Sequence, residues 1–525
     1  MQILKQFLTF GFISMFILTT SCNNDDDNMD EPPFMGDSKV FQLYAKSNPS
    51  ISGTATFMQQ RDGSTEVQIN LMGVSSGTHP SHIHFNSAAE GGDIAITLDP
   101  VDASGMSLTM ISALDDGSPI LYNDLIQFDG YINVHLSASD LATLIAQGDI
   151  GTNELTSTTK TYDLMSKDVD GIMGTATFTE RVDGKTLATI MLEETTDGGM
   201  HPGHIHNNTA AEGGGIAISF TPVNGTTGMS MTSIEMLDDG TPITYDELLD
   251  YNGYINIHLS ANDLGTLVAQ GDIGQNELTA ESKTYDLMSK DVEGIMGTAT
   301  FTERVNGTAL ATIMLEGTPD EGMHPAHIHN NTAAEGGGIA ITFTPIDGTT
   351  GMSMTQIGML DDGTAISYDD LLMYDGYINV HLSAEDLGTL VAQGDIGQNE
   401  LTGTMDSYAL SSVANAAISG TATFMERLNG ETLVKIELDG TTTGMTHPAH
   451  IHTGSVANAP GAIAISLTSV DGGSGISYTN VSQLDSGTAI DYTAMTSIDG
   501  YINVHLAAEQ LDILIAQGNV GANAN

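Results

Sequence analysis

The chain of 525 residues has no tryptophan and a single cysteine, Cys22. One cysteine has no partner for an intramolecular bridge, so no disulfide framework holds this protein together. Basic residues are scarce as well: 13 Lys and Arg stand against 67 Asp and Glu, a formal net charge of −54. Such a balance repels nucleic-acid phosphates and anionic lipid surfaces, which argues against polyanion binding. It favours solubility in crowded or salty surroundings and attracts cations or basic partners. No serine or cysteine nucleophile constellation accompanies the histidines described below, so hydrolase chemistry has no support.

The first residues, MQILKQFLTFGFISMFILTTSC, place a lysine before an apolar stretch from Phe7 to Leu18 and small residues before Cys22. That stretch is shorter than the roughly 20 residues of a bilayer-spanning helix, and the layout is that of a targeting segment. It resembles a bacterial lipoprotein signal, which implies a signal peptide over 1–21 and acylation of Cys22. Residues 22–37 are acidic, contain proline and lack apolar periodicity, as expected of a disordered tether. The resulting expectation is a lipid-anchored, extracytoplasmic protein on a bacterial outer membrane or cell surface.

All sixteen histidines belong to four copies of one pattern, HPxHIH followed some fifty residues later by a single histidine in YIN(V/I)H. The sets are His79, His82, His84 and His135; His201, His204, His206 and His258; His324, His327, His329 and His381; and His447, His450, His452 and His505. The first histidines are spaced 122 or 123 residues apart. That period is far beyond the roughly 20–50 residues of a solenoid unit, so the copies read as domains in a row: 38–158, 159–281, 282–404 and 405–525.

In the second copy, alternating Tyr162 and Leu164, then Ala176 and Phe178, predict strands, and Asp183-Gly184 predicts a hairpin turn into a strand with Ala188, Ile190 and Leu192 inward. IAISF and GYINIHLS continue the series. Many short strands with glycine-rich turns predict an all-β fold, an antiparallel β-sandwich of immunoglobulin-like or Greek-key type. Two short helical insertions are expected, each opened by a capping box: Thr244 with Glu247, and Ser260 with Asp263, the latter running to Gly271. The fourth copy lacks the second box and is expected to close with a shortened strand.

Strand alternation sets His204 and His206 on one face and Ile205 on the other. His258 falls with Tyr254 and Asn256, opposite Ile255, Ile257 and Leu259, so the histidines belong to the non-core side. Two imidazoles at i and i+2 plus one from a neighbouring strand can converge on one ion, and zinc or copper suits such a nitrogen-rich set, one per domain. His201 is a fourth ligand or an orienting group. The competing reading is a clasp in which the imidazoles bond backbone carbonyls and the Tyr or Asn of the same face. Met200, Met323 and Met445 lie beside three of the sites, where gap-filling in the core is the simpler role for methionine. Glu90, Glu212 and Glu335 have no equivalent in the fourth copy, which argues against a shared glutamate ligand. LDDG at 114–117 and DVDG at 168–171 lack the ordered spacing of a calcium loop and read as solvated turns.

At HIH, YINVH and GDIG the sequence resembles the CHRD domain, first described in chordin, over about residues 38–525. It departs where GDIGQNE replaces a more basic ending and where the fourth copy reads GNVGAN. The resemblance implies an immunoglobulin-like sandwich and no established enzymatic activity. Two functions follow as expectations. One is a non-enzymatic, lipid-anchored binding or adhesion protein for an extracellular protein or surface ligand, its repeated domains adding avidity. The other is copper or zinc capture, or a metalloenzyme similar to copper–zinc superoxide dismutase. Against the enzyme stand the lack of a spare histidine to bridge two metals and a charge that repels superoxide.

Overall fold

The computed structural model describes residues 34–414 and 417–524. The signal peptide, Cys22 and most of the tether lie outside the described residues. The tether's last residues do not: the Asp37 carbonyl accepts a hydrogen bond from the Gln59 amide at 2.8 Å. The chain divides into two compact units, Met1–Glu154 and Leu155–Asn525. The first contains one all-β domain and the second contains three.

In the first domain the strands are Ser38–Ala45 (β1), Ser52–Gln59 (β2), Thr65–Met72 (β3), His79–Phe85 (β4), Ile94–Val101 (β5), Met106–Ile111 (β6), Asp129–Ser137 (β7) and Asp140–Gly151 (β8). They pair in the order β5-β4-β7-β8-β1-β2-β3-β6. β1 and β8 meet through two residue pairs only, Tyr44 with Gln147 and Ala45 with Ala146. At that narrow seam the strip folds into two four-stranded layers, β6-β3-β2-β1 and β8-β7-β4-β5, with Greek-key crossings between them. Inward residues alternate as a sandwich requires: Phe41, Phe57 and Ile69 from one layer meet Ile83, Ile132 and Val134 from the other, all fully buried. Phe41 and Phe57 pack edge to face at 5.0 Å.

The same architecture recurs three times in the second unit, each domain around its own core. Its short helix is where the first capping box predicts it: Thr244 Oγ1 accepts from the Glu247 amide, opening Tyr245–Leu249. The second expected helix is absent. Asp263–Gly274 is a strand, hairpin-paired with Asn252–Ser260, and Ser260 lies opposite Asp263. Asp263 caps the turn instead, its carboxylate accepting from the amide and hydroxyl of Thr266. Leu264, Leu267 and Val268 mimic helical spacing only because a bulge shifts the register beside His258. The same bulge leaves Leu259 37% exposed rather than in the core. The fourth domain's closing strand, Leu514–Gly521, has 8 residues where the others have 12, but it is short at its start, beside the missing second box, and ends at the same glycine as the others rather than being cut at GNVGANAN.

The expected boundaries at 158/159, 281/282 and 404/405 fall inside the strands Leu155–Ser166, Leu278–Ser289 and Leu401–Ser412. Leu155, Leu278 and Leu401 already pair with Arg181, Arg304 and Arg427 of the domain that follows, so each domain begins four residues earlier than expected. Successive domains of the second unit are locked by a buried arginine. Arg304 is fully buried, with Nη1 on Asp272 Oδ2 at 2.8 Å and Nε on Gln356 Oε1 at 2.6 Å, and it also donates to the Asn276 carbonyl. Arg427 repeats this on Asp395 and Asn480. Methionine does not fill the cores as expected: Met495 is the one methionine in the four clusters among the described residues, while Met72, Met191 and Met314 are exposed.

Candidate metal centre

Each site is built on the outer face of the layer whose inner face supplies Ile83, Ile132 and Val134. β4 carries His82 and His84, and β7 beside it carries His135, with His82 opposite Asn133 and His84 opposite Tyr131. Ile83 between the two histidines is fully buried on the core side, as alternation demands. In all four domains three imidazoles converge, with one nitrogen from each lying within 4.8 Å of the others: His82, His84, His135; His204, His206, His258; His327, His329, His381; and His450, His452, His505.

Hydrogen bonds to carbonyls decide which nitrogens face inward. A carbonyl only accepts, so a ring nitrogen bonded to one carries the proton, and the other nitrogen of the neutral ring keeps its lone pair. His84 Nδ1 donates to the Gly92 carbonyl at 2.9 Å, and His135 Nδ1 donates to the Leu141 carbonyl at 2.7 Å. Their Nε2 atoms thereby carry the lone pairs, which face Asn133 Nδ2 and His82 Nδ1, respectively, as acceptors. His82 presents Nδ1, 3.2 Å from His135 Nε2, and the corresponding distance is 3.1 Å in the second and third domains. Two ligands of a tetrahedral zinc stand about 3.3 Å apart when each bond is near 2.0–2.1 Å. In the fourth domain His450 Nδ1, His452 Nε2 and His505 Nε2 are buried with no hydrogen-bond partner, so all three inward atoms want a cation or a proton.

The carbonyl clasp weighed as the competing reading is therefore real, and it is also what aims the lone pairs. Burial, and the neighbouring imidazoles, hold His82 below the usual histidine range. His135 is lowered by burial too, against the opposing effect of its bond to Leu141. Their counterparts behave alike. Neutral, inward-facing imidazoles are the form in which histidine binds metal.

The fourth histidine of each set does not join. His79 Nδ1 donates to the Leu136 carbonyl at 2.8 Å, and His201 and His324 bond the carbonyls of His258 and His381 at 3.2 Å. His447 does the same to Leu506 at 2.9 Å. Pro-preceding His79, His201, His324 and His447 thus pin the strand that carries the third ligand instead of supplying one. Met200 and Met323 adjoin this outer histidine, not the triad, and are about half exposed.

The acidic candidates are engaged elsewhere. Glu90 closes on the Ser87 amide, and Glu212 and Glu335 accept from the hydroxyls of Thr209 and Thr332. LDDG and DVDG are turns: Asp116 accepts from the Ser118 amide and Asp168 from the Leu267 amide.

Three supporting groups escaped the sequence reading. Gln147 Nε2 donates to Asn133 Oδ1 at 2.9 Å, and the pair recurs as Gln270–Asn256, Gln393–Asn379 and Gln517–Asn503. Its signal is the segment (I/V)AQG, present in every copy. Gly92 both accepts from His84 and donates its amide to the Tyr131 hydroxyl, and Tyr131 stacks on the His84 ring at 4.9 Å. In the divergent fourth loop Gly461 keeps both bonds, to His452 and Tyr501. Lastly, the loop following each HIH is anchored by a residue of the last strand: Asp272 Oδ1 accepts from the Ala210 amide and Asp395 Oδ1 from Ala333. Asn519 does so for Val456 in the fourth domain, which accounts for the GNVG departure there.

A scan of protein-family models and a search of curated proteins each found no match to this chain.

Proposed function

We propose that this protein is a non-enzymatic, extracytoplasmic metal-binding protein that takes up zinc or copper at four equivalent tri-histidine centres, one per domain. The observation that carries this is the fourfold convergence of three imidazoles, two of which in each domain are aimed by a carbonyl bond on the opposite ring nitrogen. Zinc and copper(II) are the first-row ions that imidazole serves best. The acidic surface concentrates cations around the sites. The leader sequence and Cys22 supply a lipid anchor, and the resemblance to CHRD domains supports display of the four domains outside the membrane. A superoxide dismutase-like reaction draws less support, since no histidine is left to bridge a second metal.

Elemental analysis of tag-free protein after exposure to zinc and copper tests the reading. About four ions per chain are expected, and about three after His82→Ala, His84→Ala and His135→Ala together. Protein that binds no ion, and whose variant loses only thermal stability, would leave the histidines as structural clasps.

A further inference from the structure

The groups that surround each triad leave a metal's fourth coordination position to a ligand from outside. His79 is turned onto the Leu136 carbonyl and Glu90 onto Ser87. Asp115 spends one carboxylate oxygen on the Thr97 amide and the other on the Thr97 hydroxyl, at 2.9 and 2.7 Å. Asp238, Asp361 and Asp485 repeat this on Ser219, Thr342 and Ser466. The Tyr131 hydroxyl is held by Gly92.

One polar group remains aimed at the site, and it is a donor. Asn133 is 7% exposed, and its Oδ1 is occupied by Gln147 Nε2. That bond fixes the amide so that Nδ2 lies 3.5 Å from His84 Nε2. The equivalent asparagines are equally buried and equally held by glutamine in the other three domains, where His206, His329 and His452 Nε2 have no hydrogen-bond partner and Asn256 and Asn379 bond Tyr254 and Tyr377. An amide N–H cannot ligate a cation, but it hydrogen-bonds an electron-rich atom sitting on one. Three neutral imidazoles also leave a divalent ion's charge uncompensated, which favours an anion in the remaining position.

We infer that each metal centre is an anion-binding site, in which a small monodentate anion completes the coordination of the ion and accepts a hydrogen bond from Asn133, Asn256, Asn379 or Asn503. This rests on the metal reading above. The full chain loaded with cobalt(II) and titrated with azide tests it. The visible spectrum of the cobalt is expected to shift and to saturate near four azides per chain. Asn133→Ala is expected to leave cobalt stoichiometry unchanged and to weaken azide binding about tenfold at one site in four. Four bound cobalt ions whose spectrum ignores azide, and changes on His79→Ala, would overturn the inference by showing the position closed by protein, while leaving the metal reading intact. No histidine-dependent cobalt uptake at all would overturn both. The unsubstituted chain alone decides whether the position is open, whatever the folding of the Asn133 variant.

Discussion

At the scale of the residue, the triad makes a prediction about acid. Burial holds His82 and His135 below their ordinary value, near 6.5 in an unfolded chain. As pH falls below about 6.5 the unfolded chain therefore takes up protons that the folded one resists. The sign follows: metal-free protein keeps this stability above that pH and loses it progressively beneath. Its melting temperature should fall between pH 7.5 and 5.5, and by less in a variant with His82, His135 and their six shifted counterparts replaced by Gln. Equal slopes for the two proteins would show that these imidazoles are not the groups responsible. Metal uptake should weaken over the same range, since protons and the ion compete for the same lone pairs.

Individual side chains were also the most legible part of the sequence. HxH alternation placed His82 and His84 on one face because a strand's period is fixed at two, whatever the surroundings. His79 could not be assigned in this way, because its role turns on carbonyls of a strand more than fifty residues away. Gln147 escaped notice for the same reason: nothing local distinguishes a glutamine that holds an asparagine across the sheet from one facing solvent.

At the scale of the element, the loop after each HIH sets the tautomer of the second ligand through one glycine. A Cβ on Gly92 would stand 2.1 Å from the Phe85 carbonyl oxygen, and backbone cannot yield as a flexible side chain would. Gly92→Ala is expected to shift this loop, cost about 1–3 kcal/mol by overpacking, and lower zinc affinity of the first domain in competition with a chelating dye. Unchanged affinity would mean that the His84–Gly92 bond does not aim the ligand. The elements themselves were partly legible. Thr244 and Glu247 gave away a helix because the capping box is a local hydrogen-bond pair. Ser260 and Asp263 offer a box of the same kind, yet the chain there turns into a hairpin, since the strand that follows gains a long ladder with Asn252–Ser260. Local capping is worth about 1 kcal/mol and cannot compete with that pairing.

At the scale of the whole molecule, the buried arginines decide how firmly domains of the second unit are joined. Removing one member of a buried ion pair leaves the other charge uncompensated, at a cost of about 3–5 kcal/mol. Arg304→Ala is accordingly expected to destabilise the junction between the second and third domains and to speed proteolytic cleavage near Glu277 and Leu278. Cleavage at the unsubstituted rate would assign the arginine a lesser part. None of this was visible in sequence, where Arg304 is one basic residue at a hairpin and Asp272 one acid among 67 acidic residues. Only the paired strands show that they meet.

Asp272 holds the site loop of its own domain with one oxygen and the arginine of the next domain with the other. Asp395 does likewise, and there the loop's Glu335 also accepts from Asn480 of the following domain. A single carboxylate is thus a common term in two equilibria, ligand capture and domain docking. Whatever free energy an ion gains from a fixed loop must, by reciprocity, be returned to the junction. If the triads hold ions as proposed, occupancy in one domain would register as stiffness at its junction with the next, and a mechanical pull on the second unit would report it.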